Sequence, residues 1–247
     1  MNLIVDIGNT RAKLAVVAEG EVVAQRSVER LRAQDLDGML AAWPGVRRAI
    51  VSSTRGSASE TAEWLRRRVA YVLEFGSRTP VPIGNAYATP ETLGRDRLAA
   101  AVGAATRCPG RNALIVDFGT AVTVDLLPAD GVFRGGCISP GATTRFRALH
   151  DYTASLPLCE ACEAWEEVGT TTRSAVVAGV MQGLAFEIEG HVREAERRYG
   201  DLCIFFTGGE AKYFAKRIKN TIFADCNLVF CGLNRILEYN ASEENLI

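Results

Sequence analysis

Two short segments combine an aspartate with a glycine in a way that suits phosphate chemistry. Residues 3–10 read Leu-Ile-Val-Asp-Ile-Gly-Asn-Thr, and residues 114–121 read Leu-Ile-Val-Asp-Phe-Gly-Thr-Ala. A glycine lets the backbone turn tightly and present its N–H groups to a phosphate, and an aspartate can hold a cation or its waters. Asp, Gly and Asn are also common in ordinary β-turns. Because the pattern occurs twice, each time after a Leu-Ile-Val strand, it favours two phosphate-binding turns that face each other across a cleft.

A third glycine-rich segment lies late in the chain, where residues 206–210 read Phe-Thr-Gly-Gly-Glu between an apolar run and a predicted helix. Its adjacent glycines, Gly208 and Gly209, would let a flat ligand such as a nucleoside lie against the backbone. A plain strand-to-helix turn explains the pattern equally well. The chain has neither the GxxxxGK(S/T) pattern of a P-loop nor the GxGxxG pattern of a dinucleotide-binding fold.

Similar elements must position the two acidic turns. In each half, a strand leads into the turn, and a second strand, another turn and a third strand follow, which is a β-meander. We predict an α/β protein with one mixed sheet in each half. The second and third strands are predicted at 11–17 and 21–27, and at 122–127 and 132–137. Helices are predicted at 59–69, 91–106, 173–199, 210–219 and 232–239, and a later strand at 202–206.

The boundary between the halves is predicted at the breaker cluster Cys-Pro-Gly-Arg-Asn, residues 108–112. The sequence therefore predicts two domains, at 1–111 and 112–247.

Composition limits the functional class. Of 247 residues, 48% are hydrophobic, which excludes a disordered chain. The 28 basic residues nearly balance the 29 acidic ones, so we expect neither nucleic acid nor a membrane as a partner. The odd count of seven cysteines, and a start without a basic region, favour reduced thiols in the cytoplasm. Cys159 and Cys162 form a CxxC pair that lacks the second ligand pair of a zinc site.

Six segments, in order, resemble the type III pantothenate kinases, within the acetate and sugar kinase/Hsp70/actin superfamily. They span residues 1 to about 239. The Leu-Gly-x-Asp-Arg element together with the two acidic turns is specific to the family, whereas the Gly-Gly pair is shared by the superfamily. The segments are residues 6–10, 87–97, 117–121, 135–141, 168–172 and 207–209.

The resemblance implies duplicated ribonuclease H-like (actin-like ATPase) domains, with mixed sheets flanked by helices and the active site in the cleft between them. It implies transfer of the γ-phosphoryl group of ATP to the primary hydroxyl of pantothenate, the first step of coenzyme A synthesis. It also implies a homodimer, with pantothenate bound close to the subunit interface.

The resemblance assigns roles to individual residues. Asp96 is expected to accept the proton of the attacking hydroxyl, Asp6 to hold Mg²⁺ through water, and Asp117 to bind a monovalent cation, K⁺ or NH₄⁺. Without the family match, Asp96 would be read as a capping or solvent-facing acid. The expected ATP contacts are Asp6, Ile7, Gly8, Asn9, Thr10, Arg11, Ala12, Lys13, Thr120, Gly208 and Gly209. The expected pantothenate contacts are Tyr87, Gly94, Arg95, Asp96, Arg97 and Thr172.

Two details depart from the family pattern, and three rival functions stay open. The segment before Thr172 reads Gly-Thr-Thr, so Thr170 and Thr171 compete with it, and Thr172 also suits a helix N-cap. The family's glycine near residues 14–16 is absent. The rivals are a sugar or carboxylate kinase, which would usually need a longer chain, a non-catalytic regulator that binds ATP, and a chaperone-like ATPase, which would carry a further domain.

Overall fold

The computed structural model describes residues 1–54, 58–218 and 222–243. Contacts between residues divide the chain into two compact units. The first consists of residues 1–109, residues 131–133 and the segment from 227 onward, and the second of residues 110–130 and 134–226. The first boundary lies close to the predicted division after residue 111. The C-terminal segment, however, packs on the first unit rather than on the second.

The first unit contains a five-stranded mixed sheet in the order β3-β2-β1-β4-β5. Strands β1, β2 and β3 form the predicted antiparallel meander, and β4 and β5 extend it in parallel on the other side of β1. The strands are β1 (Asn2–Ile7), β2 (Ala12–Ala18), β3 (Glu21–Val28), β4 (Arg48–Ser53) and β5 (Tyr71–Glu74).

Helices cover both faces of this sheet. Leu3 and Val5 of β1 point into a core with α1 (Ala33–Ala42) and α2 (Ser59–Arg66). Alternate residues of a strand point to opposite faces, so Asn2 and Asp6 face the other side. There, Asn2 donates a hydrogen bond to Asn234 of α7 (Leu228–Glu243), with a length of 2.7 Å.

Helix α7 crosses α3 (Arg95–Arg107) at two glycines. A Cβ at Gly103 would lie 2.3 Å from the carbonyl oxygen of Leu228, and one at Gly232 would lie 1.8 Å from that of Ala99. The two backbones are therefore in direct contact, and this close approach holds the C-terminal helix on the first unit.

The second unit repeats the arrangement, with a five-stranded sheet in the order β10-β8-β7-β11-β12. One face packs on the long helix α5 (Thr172–Tyr199), and α4 (Ala142–Asp151) and α6 (Ala211–Ala215) complete the core. The strands are β7 (Asn112–Phe118), β8 (Ala121–Leu127), β10 (Gly136–Pro140), β11 (Leu202–Thr207) and β12 (Ile222–Ala224).

The predicted strand at 132–137 is wrong, because the chain breaks there into two short strands. β9 (Val132–Phe133) pairs with β6 (Gly84–Asn85) in the first unit, and Gly135 then turns the chain with φ +81° before β10 begins. The helix predicted at 91–106 begins four residues later, at Arg95, and the one predicted at 210–219 is shorter, Ala211–Ala215, with residue 219 outside the described residues.

The remaining predicted elements are confirmed within a few residues at their ends. No helix in the described part of the chain combines the length and the hydropathy that a membrane crossing needs.

Candidate functional site

The first acidic-glycine turn joins β1 to β2. Gly8 donates its backbone N–H to the carbonyl of Arg11, with an N···O distance of 3.0 Å, and a Cβ at Gly8 would lie only 3.2 Å from that oxygen. A side chain at position 8 would therefore crowd the turn. Asn9, Thr10 and Arg11 are exposed at its tip, where they can meet a ligand.

Asp6 lies at the carboxyl end of β1 and is 8% exposed. Its register partners are Lys13 on β2 and Ser52 on β4. Register partners share a face of the sheet, so the three polar side chains form one row. Ser52 is fully buried, and its Oγ has no hydrogen-bond partner among the described residues. A buried carboxylate beside an unsatisfied hydroxyl fits a hydrated divalent cation.

A second group of predicted residues gathers at the start of α3. Arg97 donates its backbone N–H to Oδ1 of Asp96, at 2.9 Å, and a Cβ at Gly94 would lie 2.6 Å from the same oxygen. Arg97 is 6% exposed, and its Cζ lies 5.5 Å from the centre of the Tyr87 ring. The structure thus brings Tyr87, Gly94, Asp96 and Arg97 together.

Arg95 belongs to the same helix turn but points back along the chain. It donates one hydrogen bond of 2.6 Å to the carbonyl of Leu93 and a longer one of 3.4 Å to that of Pro90. These bonds stabilise the loop before α3, so the described contacts of Arg95 are structural.

The second acidic-glycine turn joins β7 to β8 in the second unit. Gly119 donates to the carbonyl of Ala121 at 3.1 Å, two residues on, whereas Gly8 of the first turn bonds to Arg11, three residues on. The second turn is therefore one residue shorter. The carbonyl of Thr120 accepts bonds from the N–H of Gly141, at 3.0 Å, and from Oγ1 of Thr144, at 2.6 Å. The start of α4 therefore fixes the backbone of Thr120.

The two glycines after β11 have different surroundings. Gly208 has φ +90°, and a Cβ there would lie 2.4 Å from Oδ1 of Asp117. Asp117 is the register neighbour of Thr207. No heavy atom of the described residues lies within 4 Å of a Cβ added at Gly209. A flat ligand can therefore approach Gly209, whereas Gly208 leaves the space that the Asp117 carboxylate occupies.

Thr172 is exposed as the first residue of α5. The alternative that Thr172 caps the helix is wrong, because the N-cap is Thr171, whose Oγ1 accepts a 3.1 Å hydrogen bond from the N–H of Ser174. The sequence alone does not distinguish the neighbouring threonines as caps. In the structure, the N–H of Thr171 donates a 3.1 Å hydrogen bond to Ser174 Oγ, which completes the capping box at Thr171.

An ion-pair network that sequence reasoning missed supports the segment 135–141. Ser139 donates to one carboxylate oxygen of Glu187 on α5, and Arg145 of α4 donates to the other, each at 2.5 Å. Burial acts to raise the pKa of Glu187, but the Ser139 bond and the Arg145 guanidinium outweigh it and hold the pKa below its usual value of 4.5. In the sequence, the Ser-Pro-Gly segment at residues 139–141 indicates this part of the structure.

The two cysteines of the CxxC pair have different surroundings. Cys159 is buried in the core of the second unit, and Cys162 is partly exposed with its Sγ 3.1 Å from the carbonyl oxygen of Ala164. Within the described ranges, no group of three or more His, Cys, Asp or Glu side chains could hold a metal ion.

These features match one protein family. The sequence model of the type III pantothenate kinases matches residues 2–194. The chain belongs to the type III pantothenate kinase family. A curated type III pantothenate kinase of Phocaeicola vulgatus is 43% identical over 242 residues, which cover 97% of this chain and 99% of that protein. The family resemblance inferred from the six segments is confirmed.

Solved structures confirm the fold expected for a pantothenate kinase of this type. A Campylobacter jejuni protein assigned to the Baf family of transcriptional activators aligns with a TM-score of 0.62 and 20% identity, over 97% of this chain and 99% of that one. The activator of 2-hydroxyisocaproyl-CoA dehydratase from Clostridium difficile, solved with bound ADPNP, aligns with a TM-score of 0.53 and 15% identity, over 99% and 97%. At these identities the likeness concerns the actin-like fold alone.

Proposed function

We propose that this chain transfers the γ-phosphoryl group of ATP to the primary hydroxyl of pantothenate, which yields 4'-phosphopantothenate and ADP in the first step of coenzyme A synthesis. The observation that carries the proposal is the family match over residues 2–194, together with a relative of the same length and activity at 43% identity. The gathering of Tyr87, Gly94, Asp96 and Arg97 around one helix start supports the same reaction.

Asp96 accepts the proton of the attacking hydroxyl in this proposal. The hydroxyl oxygen forms a bond to the γ-phosphorus, the bond to the β-phosphate oxygen breaks, and the proton moves to the Asp96 carboxylate. The N–H of Arg97 holds Oδ1 in place at 2.9 Å, so the acid is oriented before substrate arrives.

Pantothenate carries a carboxylate, and Arg97 is the cation best placed to meet it in this unit. Arg97 is largely buried and its guanidinium lies over the Tyr87 ring, and a partly desolvated guanidinium pairs strongly with an anion. Thr172 and Arg95 are kept as further substrate contacts on the family resemblance alone.

The two acidic turns bind the phosphates of ATP, each through its own residues. The first contributes the backbone from Asp6 to Lys13 and the charge of Lys13, and the second contributes Thr120. Gly209 leaves room for the nucleoside. In phosphoryl transfer the protein chiefly positions groups and neutralises charge, which is what these residues supply.

Two cations belong to the proposal. The Asp6 carboxylate with the Ser52 hydroxyl would hold the waters of Mg²⁺, and bound Mg²⁺ offsets the charge of the triphosphate. The Asp117 carboxylate, whose Oδ1 lies in the space that Gly208 leaves, would hold a monovalent cation, K⁺ or NH₄⁺, as the family resemblance implies.

We also propose that the chain works as a cytoplasmic homodimer. Ile138 and Phe186 are 62% and 59% exposed, and each is adjacent in sequence to a member of the Ser139–Glu187 pair. Exposed apolar side chains beside an ordered ion pair suit contact with a second copy.

The test measures ADP release with Mg²⁺ and ATP, with and without pantothenate, in K⁺, NH₄⁺ and Na⁺ buffers. We expect turnover that requires pantothenate and is faster in K⁺ or NH₄⁺ than in Na⁺. Asp96→Asn should lower kcat by about 10²–10⁴-fold, whereas the matched control Asp37→Asn, at an exposed site on α1, should not. Turnover that is independent of pantothenate would overturn the substrate, and full activity of Asp96→Asn would overturn the base.

A further inference from the structure

A groove of about 820 Å³ opens at the edge of the first unit, where the β1–β2 turn meets the connection from β3 to α1. This volume is within the range of small-molecule sites. Ten residues line the groove, among them four arginines. The ten lining residues are Thr10, Arg11, Arg26, Ser27, Val28, Glu29, Arg30, Arg32, Gln34 and Asp35.

One of the two acids in the lining, Asp35, already has partners within the fold. Asp35 is buried and forms an ion pair of 3.0 Å with Arg26, and its other oxygen accepts the backbone N–H of Arg32 at 3.1 Å. Arg26 is thus neutralised by the fold. Its role in the groove is structural.

Three arginines remain to face the groove. Arg11, Arg30 and Arg32 have exposed side chains, and in the described ranges no ion pair joins any of them to an acid. Among the described residues that line the groove, Glu29 is the one other acid. Since the whole chain carries a net charge of −1, this concentration of positive charge is local to the groove.

The lining also supplies neutral donors. Thr10 and Ser27 carry hydroxyls, Gln34 carries an amide, and the ten-residue helix α1 begins beside Arg32 with the positive end of its dipole. Guanidinium groups match the geometry of phosphate oxygens and bind them in pairs. A chain of phosphoryl groups would use several of these donors at once, whereas a single carboxylate would use few.

We propose that this groove is a second anion site, which binds a polyphosphate chain while ATP occupies its own site. Thr10 and Arg11 belong both to the groove and to the proposed ATP turn, so an anion in the groove would lie next to the nucleotide phosphates. An anion in the groove would act on the nucleotide through these two residues, so this part of the inference rests on the proposed function.

The experiment is calorimetric titration of inorganic tripolyphosphate into the full chain, first saturated with Mg²⁺ and a non-hydrolysable ATP analogue. We expect one further binding event, which weakens as KCl is added because exposed charges are screened. The double variant Arg30→Gln/Arg32→Gln should weaken it by about tenfold or more, since each lost charged hydrogen bond costs about 1.5 kcal/mol.

A matched control separates the groove from general positive charge. Arg66→Gln/Arg67→Gln removes two adjacent arginines at the end of α2 and should leave the binding of tripolyphosphate unchanged. Equal weakening in both double variants, or no binding once the ATP analogue is present, would overturn the proposal.

The kinase assay distinguishes this proposal from the proposed function. Arg30→Gln/Arg32→Gln should retain pantothenate-dependent ADP release in the absence of tripolyphosphate. Loss of the tripolyphosphate site with retained turnover supports the groove and the kinase separately. Tripolyphosphate binding by a chain without kinase activity would contradict only the proposed function.

Discussion

Gly94 leaves the space that the carboxylate of Asp96 occupies, because a Cβ at residue 94 would lie 2.6 Å from Asp96 Oδ1. No real Cβ atom approaches an oxygen so closely, so the carboxylate or the backbone would have to move. The same oxygen accepts the N–H of Arg97. The orientation of the proposed base therefore depends on a missing side chain two residues before it.

We predict that Gly94→Ala lowers kcat by about 10²-fold, since a displacement of about 1 Å at a reacting group has that effect. Gly183→Ala on α5 is the control, because an added Cβ there meets nothing within 4 Å. Steady-state kinetics with circular dichroism of both variants provides the measurement. If a folded Gly94→Ala protein had the kcat of wild type, the orientation of Asp96 would not depend on the absence of a side chain at residue 94.

Ser52→Ala should separate stability from function. The Ser52 hydroxyl is fully buried without a partner among the described residues, and a buried unsatisfied group costs about 1–3 kcal/mol. We expect the free energy of unfolding to rise by about 1 kcal/mol, while the Mg²⁺ concentration for half-maximal activity increases. Urea unfolding and a Mg²⁺ titration of activity are the measurements.

Ser53 provides the neighbouring control, because it takes part in an interaction within the fold. Ser53→Ala should therefore not gain stability. A loss of stability in Ser52→Ala would mean that its hydroxyl is satisfied in the folded protein, and that the pairing with Asp6 has another purpose.

Gly208 and Gly209 offer a second matched pair. At φ +90° an alanine is strained, and its Cβ would lie 2.4 Å from Asp117 Oδ1, so Gly208→Ala should destabilise the chain by about 1–3 kcal/mol. Activity should also lose its preference for K⁺ over Na⁺. Gly209→Ala should retain stability and raise KM for ATP, because its Cβ would project into the space proposed for the nucleoside. Equal stabilities of the two variants would contradict this account.

The duplicated sheets could be predicted because their signals are local. Leu-Ile-Val strands, acidic turns and meander strands follow one another within 30 residues in each half. The path of the C-terminal helix could not be predicted in this way. Its contact with α3 depends on Gly103 and Gly232, which lie far apart in sequence and show their shared role only when the two backbones meet.

The residues of the candidate site likewise differ in whether the sequence pattern indicates them. Asp6, Gly8 and Asp117 are marked by the pattern of the turns themselves. Ser52 carries no such mark, because it joins Asp6 only through the register of β1 with β4. No sequence pattern marks the arginines of the groove as a group, because they come together only when β3 and the start of α1 fold beside the β1–β2 turn.

Glu187 predicts a particular dependence of stability on pH. Its pKa is held below 4.5 in the folded chain, where the bonds from Ser139 and Arg145 outweigh the effect of burial. A lowered folded-state pKa contributes stability that is complete above the unfolded value and is lost as the pH falls through the folded value. Wild type should therefore be more stable than Glu187→Gln by about 1 kcal/mol at pH 7, and the difference should shrink below about pH 4.5.

Chemical unfolding of both proteins between pH 7 and the acid limit of folding measures this difference. Glu189→Gln, on the same helix, removes a carboxylate that lies 3.7 Å from Arg193 and is the control. Because the distance in that pair is long and its arginine is largely exposed, its loss should change stability little at any pH. A difference in the free energy of unfolding between wild type and Glu187→Gln that stayed constant through acid pH would contradict this prediction. It would mean that neutral hydrogen bonds, rather than the ion pair with Arg145, stabilise segment 135–141.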